Sequence, residues 1–198
     1  FSREVRLKIE DILRHRLAST AIEYTLSMGA EGGEFARLYF SCVTSRRSPA
    51  QGTFSDLERD LAEAAKTWPD RLLEELVRRM GPRGGQRMFK LYGGAFSVEF
   101  HSHTPPLGAV YDVVKLESLY ATAETGAIQI DLFNSKSDAD CSRLKLYNLH
   151  AKMPLSDVMP VLTDHGLRVV DEVSNSIRVP NRPIAFVHTF RIQLDGHP

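Results

Sequence analysis

The 198-residue sequence predicts an α+β fold of strand–helix–strand–strand units, the opening part of a βαββαβ sandwich with helices on one face of an antiparallel sheet. A central helical segment separates two such units. Two observations carry this reading. The hydrophobic period switches from helical to alternating twice, at 3–45 and at 156–194, each time giving helix, strand, turn, strand. Between these stretches the apolar residues recur at helical spacing. The expected divisions are 1–45, a first unit whose opening strand lies upstream; 46–124, a linker and helical segment; and 125–198, a second unit truncated at its end.

In order, Ser2 is placed to cap a helix reaching Leu17, whose Val5, Ile9, Ile12, Leu13 and Leu17 form one apolar stripe. Ile22, Tyr24, Leu26 and Met28 then alternate with polar residues, as a half-buried strand requires. Gly29, Gly32 and Gly33 supply a turn, and Phe35 to Thr44 reads as the returning strand. After a polar linker, Ser55 and Glu58 fit a capping box ahead of a stripe of Leu57, Leu61, Ala64, Ala65 and Trp68. Pro69 marks a restart, because proline lacks an amide and disfavours a helical predecessor. Leu72, Leu73, Leu76, Val77 and Met80 continue the pattern until Gly81 and Pro82. Further helix is expected from Gln86 to Tyr92 and, capped by Thr104, from Pro106 to Tyr120. Ile128, Ile130 and Leu132 form a strand, as do Leu144, Leu146 and Asn148. Ser156 reads as a helix cap that puts Pro160 in the first turn, and Gly166 suits a left-handed helix end. Leu167–Val173 and Ile184–Leu194 complete the strands; Ile184, Phe186, Phe190, Ile192 and Leu194 share an apolar face that calls for a further covering helix.

Composition narrows the function. Lysine plus arginine (25) equals aspartate plus glutamate (25), so the basic excess that drives phosphate-backbone binding is missing and nucleic acid is not an expected partner. No apolar run nears the roughly 20 residues needed to cross a bilayer, and charges at Arg3, Glu4, Arg6, Lys8 and Glu10 interrupt any signal-peptide core. Cys42 and Cys141 are isolated, which fits reduced thiols and a cytoplasmic setting. A start at Phe1 suggests a piece of a longer chain.

Catalytic motifs are not found. No glycine-rich turn follows a strand to cradle a pyrophosphate, and Gly81, Gly84 and Gly85 lack the lysine and hydroxyl of a phosphate loop. His101 and His103, near Glu99, lack a second ligand pair and are read as a solvated loop rather than a metal site. His188 is read as a semi-buried, hydrogen-bonded side chain on the last strand. Asp70, Glu74 and Glu75 alternate with arginines as a solvated helix face, while Trp68 and Phe89 are core residues. Catalytic, cofactor-binding and metal-ligating residues are therefore all expected to be none.

Several segments carry a resemblance. Lys145–Tyr147 (KLY), Pro154–Leu162 (PLSDVMPVL) and Gly166–Glu172 (GLRVVDE) resemble a run in the large NAD-specific glutamate dehydrogenases of bacteria. Phe1–Leu13 (FSREVRLKIEDIL), Leu61–Trp68 (LAEAAKTW), Asp70 and Tyr92–Phe96 (YGGAF) are similar to other stretches of that family, in the same order. The resemblance implies ACT-like modules from a regulatory N-terminal region, without an active site of their own. It also implies a cytosolic, homo-oligomeric parent that uses NAD to deaminate glutamate, with other domains and subunits of that enzyme as partners. A free-standing amino-acid-binding ACT protein is the alternative, and a small enzyme on a ferredoxin-like scaffold a third. ACT-like modules commonly hold amino-acid effectors in the loop after the first strand. Here that loop is 148–156, with Asn148, His150, Ser156 and Asp157 as candidate effector residues. Relatives tend to read R-P-G-E-P there; the loss of the glycine predicts poorer access to positive φ.

Overall fold

The computed structural model describes residues 3–28, 36–44, 53–122, 126–135 and 138–194. The chain forms two compact units, Phe1–Thr67 and Trp68–Pro198.

In the first unit, helix α1 (Arg3–Leu17) leads into a hairpin of β1 (Ser19–Met28) and β2 (Ala36–Thr44), followed by helix α2 (Thr53–Ala65). The strands pair antiparallel, with Ile22 opposite Cys42 and Leu26 opposite Leu38. Ile9 and Leu13 of α1 and Leu57 of α2 make the buried centre; Ile22, Phe40 and Cys42 pack against it from one face of the hairpin. Arg16 donates to Asp60 and ties the two helices together. The α2 stripe thus completes the first unit, although the sequence places it with the helical segment. Helix α2 starts at Thr53, so Ser55 lies inside its first turn instead of capping it. The Ser2 cap, the Gly29–Gly33 turn, Phe35 and most of the linker lie outside the described residues.

In the second unit, α3 (Trp68–Tyr92), α4 (Val98–His103) and α5 (Pro106–Ala121) precede β3 (Gln129–Ser135), β4 (Asp138–Leu149), α6 (Leu155–Asp164), β5 (Leu167–Ile177) and β6 (Ala185–Leu194). Trp68 opens α3 and stacks in this unit's core, so it does not extend the α2 stripe. Gly81, at φ 73° and ψ 169°, breaks α3 as its sequence suggests, and Pro82 starts the second half. The halves meet so closely that a Cβ on Gly85 would lie 2.5 Å from the Val77 Cα; glycine is required there by contact, not by a phosphate. Helix α5 is capped by Pro105, while Thr104 closes α4 through its amide to Phe100.

The four strands run in the order β3-β4-β6-β5, all neighbours antiparallel. Strands β4 and β5 are therefore parallel, with β6 between them and α6 connecting them, which is the split β-α-β arrangement. The edge position beside β4, expected to be filled by a closing strand beyond Pro198, is held by β3, which precedes it in the chain.

Both faces of this sheet are covered. Leu144, Leu146, Phe190 and Ile192 lie under Leu162 of α6. On the opposite face Tyr147, Ala185 and Val187 join a large core with Leu72, Leu76, Tyr92, Phe96, Phe100, Val110, Val113 and Leu116 from the helices. The central segment thus covers the face opposite the one bearing Phe190 and Ile192, so it is not the further helix that the apolar face of β6 calls for. On the α6 side of the sheet, Ile130 and Leu132 of the edge strand β3 are 57% and 62% exposed.

Candidate functional site

The loop after β4 holds the residues the sequence singles out. Leu149 ends the strand, and His150 turns the chain at φ 73°. The Ala151 amide donates to the Leu149 carbonyl (3.0 Å), and the His150 amide donates to the Ile184 carbonyl (2.9 Å). Asn148 closes the turn by donating its side-chain amide to the Ala151 carbonyl. The left-handed geometry expected to be lost with the glycine is therefore present, built on a histidine whose side chain is exposed. Three backbone and side-chain bonds supply the constraint that glycine would otherwise make unnecessary.

Helix α6 begins two residues earlier than expected. Pro154 holds the cap position, and the Asp157 amide donates to its carbonyl (3.1 Å). Ser156 is inside the helix, its hydroxyl donating to Asp157 Oδ1 (3.1 Å), and Pro160 falls in the second turn. Gly166 does take the left-handed position, φ 70°, after the His165 cap. Asp157 places a negative charge in the first turn, where it complements the helix dipole. That charge occupies the electrostatic position an incoming carboxylate would use. No hydrogen bond joins Asn148 or His150 to Ser156 or Asp157 among the described residues.

On the sheet face covered by α6, paired with Leu146 of β4 and Ser174 of β5, lies His188. It is fully buried; Nδ1 meets Glu172 Oε1 at 2.9 Å, and its ring stacks on Phe190 with centroids 6.2 Å apart. Its Nε2 and the Asn148 Oδ1 are buried without a hydrogen-bond partner among the described residues.

The other candidates resolve into structure. His101 lies on helix α4, not a loop, stacked on Trp68 at 3.9 Å, and burial lowers its pKa. Trp68 donates its indole N–H to the Thr104 carbonyl (2.9 Å). Glu75 pairs with Arg78 at 2.9 Å along α3. No group of three or more metal-ligating side chains occurs among the described residues. No described helix is long and apolar enough to cross a membrane.

Two polar clusters, one buried and one half-buried, escape the sequence reading. Asp112 of α5 is 1% exposed and Lys145 of β4 is 5% exposed. Lys145 Nζ donates to both Asp112 oxygens (2.7 and 2.8 Å), and the Tyr147 hydroxyl donates to Oδ1 (2.6 Å). Burial first, then the Asp112 charge and hydrogen bond, push the Tyr147 hydroxyl far above its ordinary pKa. In the second cluster Glu117 of α5 accepts from Tyr92 (2.7 Å) and Arg182, whose guanidinium lies over the Tyr120 ring. Burial and the Glu117 hydrogen bond raise the Tyr92 pKa far above its usual range. The available signal was Asp112 itself, a carboxylate inside the apolar stripe of Ala109, Val110, Val113 and Leu116. Lys145 was masked because β4, buried on both faces, reads as alternating only from its leucines.

Comparison with known proteins follows the same divisions. A profile for the glutamate dehydrogenase ACT2 domain matches residues 1–69, one for helical motif 2 matches 75–119, and one for the ACT3 domain matches 127–197. The first match ends close to the structural division at Thr67. An NAD-specific glutamate dehydrogenase of Halomonas elongata is 24% identical over 98% of this chain, and one of Pseudomonas aeruginosa is 25% identical over 96%. One of Mycobacterium tuberculosis is 22% identical over the whole chain. The chain spans 12% of the length of each of these curated relatives. It belongs to the glutamate dehydrogenase family, as a stretch carrying in order the ACT2 domain, helical motif 2 and the ACT3 domain.

Proposed function

We propose that this chain is a non-catalytic regulatory and assembly segment of a large NAD-dependent glutamate dehydrogenase. The parent, a cytoplasmic homo-oligomer acting in amino-acid catabolism, converts L-glutamate to 2-oxoglutarate and ammonia. NAD binds elsewhere in that polypeptide, and the partners of this segment are the enzyme's other domains and subunits. The observation that supports this most is the uninterrupted order ACT2, helical motif 2, ACT3 within a chain whose strongest polar clusters are closed on themselves. A buried carboxylate satisfied by a lysine and a tyrosine is suited to architecture rather than turnover. The purified chain, given glutamate and NAD, is expected to form no NADH. Absorbance growth that follows the protein through purification would refute the non-catalytic part.

Two observations favour a second reading, in which the 148–156 loop senses an amino acid. The loop keeps its left-handed turn at His150, and His188 Nε2 lies buried without a partner on the face carrying Asn148. Against it stands Asp157, whose charge opposes a ligand carboxylate at the start of α6. Calorimetric titration with a panel of amino acids is expected to give no saturable heat. Sub-millimolar binding abolished by Ser156→Ala with Asp157→Ala would establish the sensor reading instead.

A further inference from the structure

Helical motif 2 and the ACT3 sheet meet across a largely apolar interface, with main-chain carbonyls of Ile130 and Pro183 accepting from Lys115 and Tyr120 at less buried positions and carboxylates of α5 engaged at two others. Asp112 meets Lys145 and Tyr147 of β4; five residues on, Glu117 meets Tyr92 of α3 and Arg182 of the β5–β6 connection. The surrounding contacts are Val110, Val113, Leu116, Tyr147, Ala185 and Val187, all buried. Such a surface alone specifies seating weakly, because leucines and valines pack acceptably after a shift by one helical turn. Charges behave differently. Moving α5 by one turn would leave a buried carboxylate facing aliphatic side chains and a buried ammonium without a counter-ion.

The three groups also engage one another directly. Lys145 reaches both oxygens of Asp112, and Tyr147 takes the second lone-pair site on Oδ1. Lys145 and Tyr147 are two residues apart on one strand, so their side chains leave the same face of β4 and converge on one point of α5. The Glu117–Arg182 contact supplies a second point, which fixes rotation about the first.

We propose that the Asp112–Lys145–Tyr147 cluster is a register lock: it specifies one seating of helical motif 2 on the ACT3 sheet instead of adding net stability. A buried ion pair contributes little over well-packed apolar groups of similar volume, yet it excludes alternatives that would strand its charges. The lock therefore holds the helical segment and the sheet in a single mutual arrangement.

The test separates stability from uniqueness in the whole 198-residue chain. The variant Asp112→Leu/Lys145→Met/Tyr147→Phe replaces the cluster by apolar groups. Its urea midpoint is expected to equal or exceed that of the original chain, while the amide resonances of α5 and β4 broaden or split into several sets. Resonances of α1, in the other unit, should stay single. A triple variant with one sharp set of α5 and β4 resonances overturns the lock, whatever its midpoint. Should the triple variant not fold, Asp112→Asn/Lys145→Gln answers the same question, because it nearly keeps shape and polarity but removes both charges that penalise misplacement. Its spectrum is expected to show multiple α5 environments; a single set at a lowered midpoint would show that the cluster serves stability alone.

Discussion

Replacing His150 by glycine should stabilise the second unit, which is unusual for a loop substitution to glycine. The backbone at His150 has φ 73°, and a side chain there suffers the Cβ–carbonyl crowding that costs most residues about 1–2 kcal/mol. Histidine visits this region more readily than most, so the lower end applies. Glycine removes the crowding but adds back chain entropy worth roughly 0.5–1 kcal/mol. The expected net change is a gain of at most about 0.5 kcal/mol, and the hydrogen bonds from His150 and Ala151 amides are untouched because they are main-chain bonds. Ala151, outside the left-handed region, supplies the control: Ala151→Gly has only the entropic loss, about 0.4–1 kcal/mol. The two variants should thus differ by about 1 kcal/mol. Urea unfolding followed by circular dichroism, with equal slopes for all three proteins, reads this difference directly. If His150→Gly destabilises as much as Ala151→Gly, the strained-turn argument is refuted.

Three further outcomes are expected. Gly85→Ala should destabilise by about 1–3 kcal/mol or more, because its methyl meets Val77 backbone, while Gly94→Ala meets nothing and should not; thermal melts compare them. Tyr92 and Tyr147 have folded pKa values raised by burial, so the stability they confer is intact below about pH 10 and is lost as pH climbs beyond it. Phenolate absorbance should show both hydroxyls ionising only together with unfolding; free titration of all tyrosines in the folded chain would contradict this. For His101 the sign is opposite: burial lowers the folded pKa, so stability is unaffected above about pH 6.5 and falls as pH drops through the folded value. Fluorescence of Trp68, stacked on that imidazole, should be quenched with a midpoint below about 6.5 and not in His101→Phe; a midpoint above it would disprove the burial argument.

Features set by local chemistry are legible in the residues alone. The 3.6-residue stripe of Ile9 and Leu13, the alternation around Ile22, the break at Gly81–Pro82 and the left-handed Gly166 are all encoded within a few residues, and each stands where its pattern put it. Caps were less legible: Ser55, Thr104 and Ser156 have capping chemistry but lie in or beside helices that start at neighbouring residues, since docking selects among nearby start points. Four things depended on residues far apart in the chain. Helix α2 belongs to the first unit because its leucines meet α1; β3 takes the edge beside β4; α5 covers the sheet face opposite α6; and Asp112 finds Lys145 33 positions away. Periodicity reports which face of an element is apolar but not which surface will cover it. A buried charge is invisible until its partner is known, because only pairing makes its burial tolerable.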